Sequence, residues 1–552
     1  LRRTAPLALL ALLSLPAAAA PAAGAPDLEM HTRIRQEGFR NSKVMETAQE
    51  LTDVLGPRLT NSPSYRRAAE WTRQALAGYG LRDARLEPFA FGRGWSAEAC
   101  TVRLLGEVPE QLYALPKAWS PGTQGPVRGK LVRLKVDAPE DLEKHRGKLA
   151  GAILLLGEVK DFAPQEKGAL ERYDEKELEK LAHYRVPGAA EKARLAEYVK
   201  RRALTRALAR FTQEEKVAAV VDVGRGEGGV FRVQAGGSWK AEEPAGVPQV
   251  GLAPEQHARL VRLVEAGKEV QLEVDVRATF HDKDLAATNT LADLPGTDKR
   301  DEVVMLGAHL DSWHTGTGAT DNAAGVAVMM EAVRILKAVG VAPRRTIRVA
   351  LWGGEEQGLL GSRAWVAKHL GSRPEPKDPA QADLPASLRA EPPGPLKTGP
   401  LHGKVSAYFN LDNGTGKVRG IWAQENVAAA ALFRTWAQAT ADLGAGTVTP
   451  TGTGSTDHVP FDEVGVPGFQ FIQDEVEYSA RTHHTNWDTF ERLQREDLMQ
   501  AAVVVATFAW EAANAPGLLP RKPLPKDPPP APKAPPAPAA RKDLPVAQQP
   551  VP

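Results

Sequence analysis

The sequence predicts an α/β protein: a mixed-sheet unit split in the chain by an inserted, mostly β domain. Three observations predict it. Strand-like and helix-like segments alternate from about residue 286 to about 515, the pattern of a mainly parallel or mixed sheet between helices. From about Val127 to Phe280 the texture changes to short β-like runs (GKLVRLKV, GKLAGAILLLG, KVAAVVDVG, VPQVGLA, KEVQLEVDVRATF) punctuated by glycine and proline. In the alternating part, polar residues gather where strands end, which is where open α/β sheets place their ligand sites.

Taken in order, residues 1–25 read as an export signal. Arg2 and Arg3 precede an apolar run from Ala5 to about Leu15, followed by small residues. The run is well short of the ~20 residues that span a bilayer. A secreted or periplasmic protein without a membrane anchor is expected. Residues 27–115 carry amphipathic helical patterns (NSKVMETAQELTDVL, SPSYRRAAEWTRQALAGYGL) and form the first part of the split unit. The insertion is assigned to 116–280, with a highly charged helical expansion at 158–214 that reads as a solvated face. An active-site cover or a homodimer contact is the lesser reading of that stretch. The main unit resumes over 281–515, interrupted by a proline-rich surface excursion at 373–400. A Pro/Ala-rich disordered tail occupies 516–552.

The chain has 552 residues and a formal net charge of only +2, which gives no electrostatic reason to expect nucleic acid or an acidic membrane as partner. A small substrate fits better. Cys100 is the only cysteine, so no internal disulfide can form and a buried, inert thiol is expected.

The chemistry-bearing residues lie in a few short runs. VVMLGAHLDSW ends a strand with His309 and Asp311 two residues apart on one side of an extended chain. Asp311 is the candidate to steady the imidazole of a ligating His309. Asp321 opens the helical run AAGVAVMMEAVRIL, where it can cap the helix, bind a cation, or do both. TIRVALWGG delivers the adjacent carboxylates Glu355 and Glu356 at a strand end. Such neighbours repel unless cations or protons neutralise them. One can ligate while the other stays free to move a proton. VSAYFNLDNG presents Asp412, and RTHHTNWDT offers His483 and His484. Imidazole and carboxylate ligands without thiolate suit zinc, with cobalt or manganese as substitutes. Five ligands sharing a bridge imply two ions.

HLDSW, ATDNAAG, WGGEEQG, NLDN, STDHVPFDEVGVPG and HHTNWDT occur in the order and at about the spacing of the M28 family of zinc exopeptidases, which this chain resembles over most of residues 40–515. The resemblance implies a zinc exopeptidase fold of the phosphorylase/hydrolase-like kind, with an insertion similar to the protease-associated (PA) domain. It implies that Asp321 bridges two zinc ions, with His309 and Asp412 completing one site and Glu356 and His484 the other. His484 is preferred to His483 because it directly precedes Thr-Asn-Trp-Asp-Thr. Glu355 becomes the general base and Asp311 the partner of His309. The expected reaction is metal-assisted hydrolysis of dipeptides or short peptides, by dipeptidase or carboxypeptidase action, with aminopeptidase action as the alternative. A receptor-like binding protein and a single-zinc acyltransferase of the glutaminyl cyclase type are lesser readings. Arg481 and Lys417 lie near the motifs, but solvation is their expected state.

Overall fold

A computed structural model describes residues 27–162, 168–185, 190–374, 376–377 and 394–523. The leader at 1–25, residues 378–393 of the proline-rich excursion and the tail beyond Pro523 lie outside the described residues. Two eight-stranded sheets carry the chain. The first runs Arg82–Ala90, Ala286–Leu294, Arg345–Trp352, Lys299–His309, Val405–Asn410, Gly468–Gln473, Val418–Trp422 and Thr447–Thr449. Its four middle strands are parallel, and the strands on either side of them, Ala286–Leu294 and Val418–Trp422, pair with them antiparallel, so the sheet is mixed as expected. Parallel strands put their carboxyl ends on one edge, and that edge holds His309, the Gly353–Glu356 turn and Asp412.

Helices pack against this sheet. Val326, Met329, Met330, Val333 and Leu336 on helix Ala324–Ala338 are fully buried, at the helical spacing seen in the sequence. Helix Arg495–Asn514 lies beside it and is buried along almost its whole length.

The second sheet is made of Glu110–Leu112, Gly94–Leu105, Gln271–His281, Val127–Arg133, Ile153–Leu155, Ala219–Val223, Gln249–Leu252 and Ala114–Pro116. Strand Gly94–Leu105, which the sequence reading assigned to the first part of the split unit, pairs along its length with Gln271–His281. The chain therefore leaves the first sheet near Gly94 rather than at residue 116, and returns after His281. The crossing point explains the residue: a Cβ on Gly94 would lie 2.1 Å from the Asn61 carbonyl oxygen. This sheet has its own apolar core, including Val102, Ile153, Val221, Leu252, Leu272 and Val274. Cys100 is half-buried on it, and burial pushes its thiol up to about 12.

An aromatic cluster joins the two sheets. Trp95 and Trp119 from the second pack with Leu59 and Trp313 from the first, with Phe91 and Trp239 against them. The indole N–H groups of Trp95 and Trp119 have carbonyl partners, Ser120 at 2.8 Å and Arg93 at 2.9 Å.

Helix Glu175–Leu181 of the charged stretch buries nothing and opens with a reciprocal Asp174–Glu177 capping box. Just before it, the chain touches the main unit. Glu171 forms a bridge with Val476, and Arg172 pairs with Asp474 at 3.1 Å and Asp497 at 2.7 Å. The chain past Ala515 also departs from the expected tail. Leu519 is buried, Pro520 accepts from Asn426, and Lys522 reaches Asp462 at 2.7 Å. Arg521 also donates to the carbonyls of His402 and Val405, so the segment up to Pro523 is bonded along the main unit.

Candidate metal centre

Asp321 is the hub of the site. Its Oδ1 faces Nε2 of His309 at 3.1 Å, and the same nitrogen faces Oδ1 of Asp412 at 3.1 Å. Its Oδ2 faces Nε2 of His484 at 3.1 Å, and that nitrogen faces Oε2 of Glu356 at 3.0 Å. All five residues that the resemblance named as ligands thus converge, with one carboxylate oxygen of Asp321 turned to each group. Asp321 does not cap the helix that follows it. Asn322 does, its Oδ1 accepting from the Gly325 N–H at 3.0 Å, which leaves both Asp321 oxygens to the site.

The Glu355–Glu356 turn is set by glycine and by Asp311. A Cβ on Gly353 would lie 2.0 Å from the Tyr65 hydroxyl, and Gly354 has φ +69°, so the strand can turn sharply at its end. The Asp311 carboxylate accepts the backbone N–H groups of Glu355 at 3.2 Å and Glu356 at 3.3 Å, and the Thr60 hydroxyl at 2.9 Å. Its contact with His309 is mainly through the main chain. Nδ1 of His309 donates to the Asp311 carbonyl at 2.9 Å, while the carboxylate stands 3.6 Å away. Nε2 of His309 is thereby left with its lone pair toward the site.

Several supporting residues were not singled out in the sequence. Asp488 accepts the N–H groups of Thr320 at 2.6 Å and Asp321 at 3.1 Å, fixing the loop that carries the hub. Arg58 is fully buried and donates to the carbonyls of Leu310, Thr317 and Gly318, each at 2.8 Å, tying the histidine strand end to the glycine-rich loop. Trp313 donates its indole N–H to Oε2 of Glu356 at 2.7 Å. Asp457 lies buried near His309 and Asp412. Trp313, Asp457 and Asp488 sit inside motif runs already recognised, and their signal was position within those runs; Arg58 lies between the two helical runs of the first segment.

The inserted sheet completes the surroundings. The side-chain amide nitrogen of Gln234 lies 3.0 Å from Nδ1 of His484, so the inserted sheet braces that ring from the side away from the hub. Arg232 donates to Nδ1 of His483 at 3.2 Å and to the His483 carbonyl at 3.1 Å. The lone pair of His483 Nδ1 is then used, its proton sits on Nε2, and that nitrogen is 3.8 Å from Asp321. His484 Nε2 stands nearer, 3.1 Å from Asp321 and 3.0 Å from Glu356, which favours His484. Nothing in the sequence pointed to Arg232 or Gln234. Arg481, by contrast, pairs with Glu477 at 3.0 Å.

So many carboxylates in one buried place are electrostatically unfavourable. Burial, with Asp321 adding to it, pushes Glu356 up to about 7. Burial likewise raises Asp457 to about 7, and raises Asp488 to about 7 with Asp321 assisting. Burial also drives Glu355 well above the carboxylate range, reinforced by Asp412 and Glu356. For His484 burial acts downward, but Glu356 and Asp321 more than offset it and hold the ring at about 10. For Asp321 burial acts upward and its two histidines override it. Divalent cations would relieve all of these conflicts. Two further observations fit them: Oε1 of Glu356 and Oδ2 of Asp321 are buried and accept no hydrogen bond among the described residues. The donors are imidazole and carboxylate only, the set that suits zinc.

The family model described as peptidase family M28 matches residues 289–509. Carboxypeptidase Q of Bos taurus is 26% identical over 489 residues, which cover 88% of this chain and 88% of the bovine protein. Aminopeptidase YwaD of Bacillus subtilis (strain 168) is 28% identical over 271 residues, 49% of this chain and 52% of that protein. Among solved structures, a peptidase M28 precursor from Shewanella amazonensis SB2B superposes with a TM-score of 0.63 at 23% identity, covering 90% of this chain and 98% of that one. A zinc aminopeptidase from Bacillus subtilis gives 0.53 at 19% identity, with coverage of 85% and 94%. Both share the fold.

Proposed function

We propose, from the premise that this chain is a metallopeptidase of family M28, that it is an exported dizinc exopeptidase hydrolysing dipeptides or the last bond of short peptides. In this reading His309 and Asp412 hold one zinc with Asp321, Glu356 and His484 hold the other, and residues 94–281 are a PA-like domain. The observation that carries it is the two-sided hub, in which each oxygen of Asp321 meets a different histidine at 3.1 Å. Export rests on the signal-like residues 1–25; among the described residues no helix is long and apolar enough to cross a membrane.

Zinc bound there would lower the pKa of water toward about 7 and polarise the substrate carbonyl. The protein's own residues would do the rest. The Glu355 side chain makes no hydrogen bond or ion pair among the described residues, so its carboxylate is available to take the proton of the attacking water and return it to the departing amine nitrogen. Asp311 fixes the backbone on which Glu355 stands, through the N–H bonds at 3.2 and 3.3 Å. Trp313 orients the Glu356 carboxylate through Oε2, the oxygen that faces His484, while Oε1 accepts no hydrogen bond among the described residues.

The test is a panel of free, amino-blocked and carboxy-blocked dipeptides, each with chelator and with added zinc. Cleavage of free and amino-blocked members that chelator abolishes and zinc restores is expected. Absence of zinc-restored cleavage on every member would refute the reading. The similarity to the aminopeptidase of Bacillus subtilis favours a second reading, removal of amino-terminal residues, which predicts that the carboxy-blocked members are cleaved instead.

A further inference from the structure

The inserted domain reaches the metal centre from two sides. On one side the hairpin of strands Arg225–Glu227 and Val230–Arg232 is fastened to the loop that carries His484, Phe231 donating its main-chain N–H to the Asn486 side-chain oxygen at 2.8 Å. On the other, part of the charged expansion lands beside Asp412. Glu171 exchanges two main-chain hydrogen bonds with Val476, at 2.8 and 2.6 Å. Val476 belongs to the wall of the site. The segment 474–478 lies flat against the loop after Asp412: a Cβ on Gly416 would come 2.1 Å from the Asp474 carbonyl oxygen, and one on Gly414 would come 3.0 Å from the Tyr478 side chain. The Tyr478 ring in turn stacks on His483, with centroids 4.7 Å apart.

The far end of the same stretch rests on a second loop at the site. Arg185 donates its main-chain N–H to the Thr451 hydroxyl at 3.0 Å, and Tyr184 its hydroxyl to Glu425 at 3.1 Å. Thr451 opens the run TGTGSTD, whose Thr456 hydroxyl accepts from Asn410, two residues before Asp412, at 2.9 Å. Both ends are therefore set on loops that flank Asp412. Between them, helix Glu175–Leu181 buries no residue, so packing does not hold it in place. An ion-pair lock does. Nη1 of Arg172 meets Asp474 at 3.1 Å and Asp497 at 2.7 Å, and those carboxylates are only 1% and 6% exposed. Removing one partner from buried charges such as these is strongly unfavourable.

We infer that residues 171–185 form a rim along the Asp412 side of the metal cleft, locked down by Arg172, and that this rim limits the substrate to short peptides. This rests on the exopeptidase reading above and assigns its length selectivity. The hairpin bounds the His484 side, so the inserted domain flanks the hub on both. Each residue of extended peptide adds about 3.3–3.6 Å. A dipeptide ends within the space between the flanks, whereas a longer chain must pass over one of them.

The experiment compares dialanine with pentaalanine, alike in side chain and different in length, on one preparation of the zinc-loaded chain. Any inactive fraction then cancels in the ratio of kcat/KM. The wild type should prefer dialanine. In Arg172→Glu, which sets a third carboxylate against Asp474 and Asp497, that preference should fall on the order of 10-fold through a gain on pentaalanine, with a smaller fall in Arg172→Ala. Trypsin reads the rim itself. The bonds after Lys176 and Lys180, followed by mass spectrometry, should be cut faster in Arg172→Glu than in the wild type. Cutting no faster, faster cutting with an unchanged preference, or a wild type that hydrolyses pentaalanine as well as dialanine would each overturn the inference and leave the peptidase reading intact. Cleavage of neither peptide would count instead against the exopeptidase reading. Calorimetry then decides the rim: pentaalanine should bind Arg172→Glu more tightly than the wild type, and equal binding would refute it.

Discussion

The edge of the parallel strands and the hairpin of the inserted sheet face the same space with opposite chemistry. The strand edge brings carboxylates and imidazoles, Asp321 at 3.1 Å from both His309 and His484, and is arranged to hold cations. The hairpin brings Arg232 and Gln234, nitrogen donors that touch Nδ1 of His483 and of His484. The first region is positioned by buried strand ends; the second is bonded to the histidine loop, and the Trp95–Trp119–Trp313 cluster joins the two sheets nearby. The centre therefore draws on two sheets, one carrying the side chains suited to cations and one bracing the histidine loop.

The sharpest break between the halves comes from the strand edge. Glu355→Gln should keep its metal and lower kcat by about 10²- to 10⁴-fold, the range of a lost general base. Steady-state kinetics with metal analysis on one sample checks this, and a fully active variant would remove Glu355 from the role. Next in size is the aromatic joint. Trp119→Ala deletes a fully buried side chain and should cost about 3–5 kcal/mol of stability, read by urea unfolding. A loss below about 1 kcal/mol would mean the two halves do not depend on that cluster.

Supporting residues should show a smaller effect, and a similar one on each side. Asp488→Asn on the strand-edge side and Gln234→Leu on the hairpin side should each weaken zinc binding about 10- to 100-fold. Competition with a chromophoric chelator measures it. If only Asp488→Asn matters, the hairpin has no part in holding His484. The smallest effect is a pH dependence far from both. Burial acts to raise Glu87, but its contacts with His369 and Lys368 override that and bring it from 4.5 to about 2. The unfolded chain binds this proton more readily, so the contribution is full above about pH 4.5 and lost as pH falls toward 2. Glu87→Gln should therefore lower the unfolding midpoint above pH 4.5, with the difference from wild type vanishing near pH 2; an equal loss at both ends would exclude the linkage.

How much of this was legible differs between the halves for a physical reason. His309, Glu356 and Asp412 follow apolar strand runs, so sequence alone set them at a sheet edge. Asp321 was legible as a helix start, but the sequence could not tell that Asn322 would take the capping bond. The Asp311 side chain was expected beside His309 and stands 3.6 Å from its Nδ1; its further hold on the Glu355–Glu356 backbone was not legible, because it depends on a strand end far along the chain. The insertion's edge was misplaced by about twenty residues because Gly94–Leu105 declares its sheet only through pairing with a strand far along the chain. Arg232 carries no signal at all. It lies in a glycine-rich run whose meaning depends on where a hairpin docks, and docking has no periodicity to read.

The central claim is that two cations share Asp321. Zinc content after exhaustive dialysis, measured for the wild type, Asp321→Asn, His309→Ala and His484→Ala, tests it directly. Two equivalents in the wild type, about one in each histidine variant and less than one in Asp321→Asn are expected. A wild type that binds one zinc at saturation, or an Asp321→Asn variant that keeps two, would contradict it.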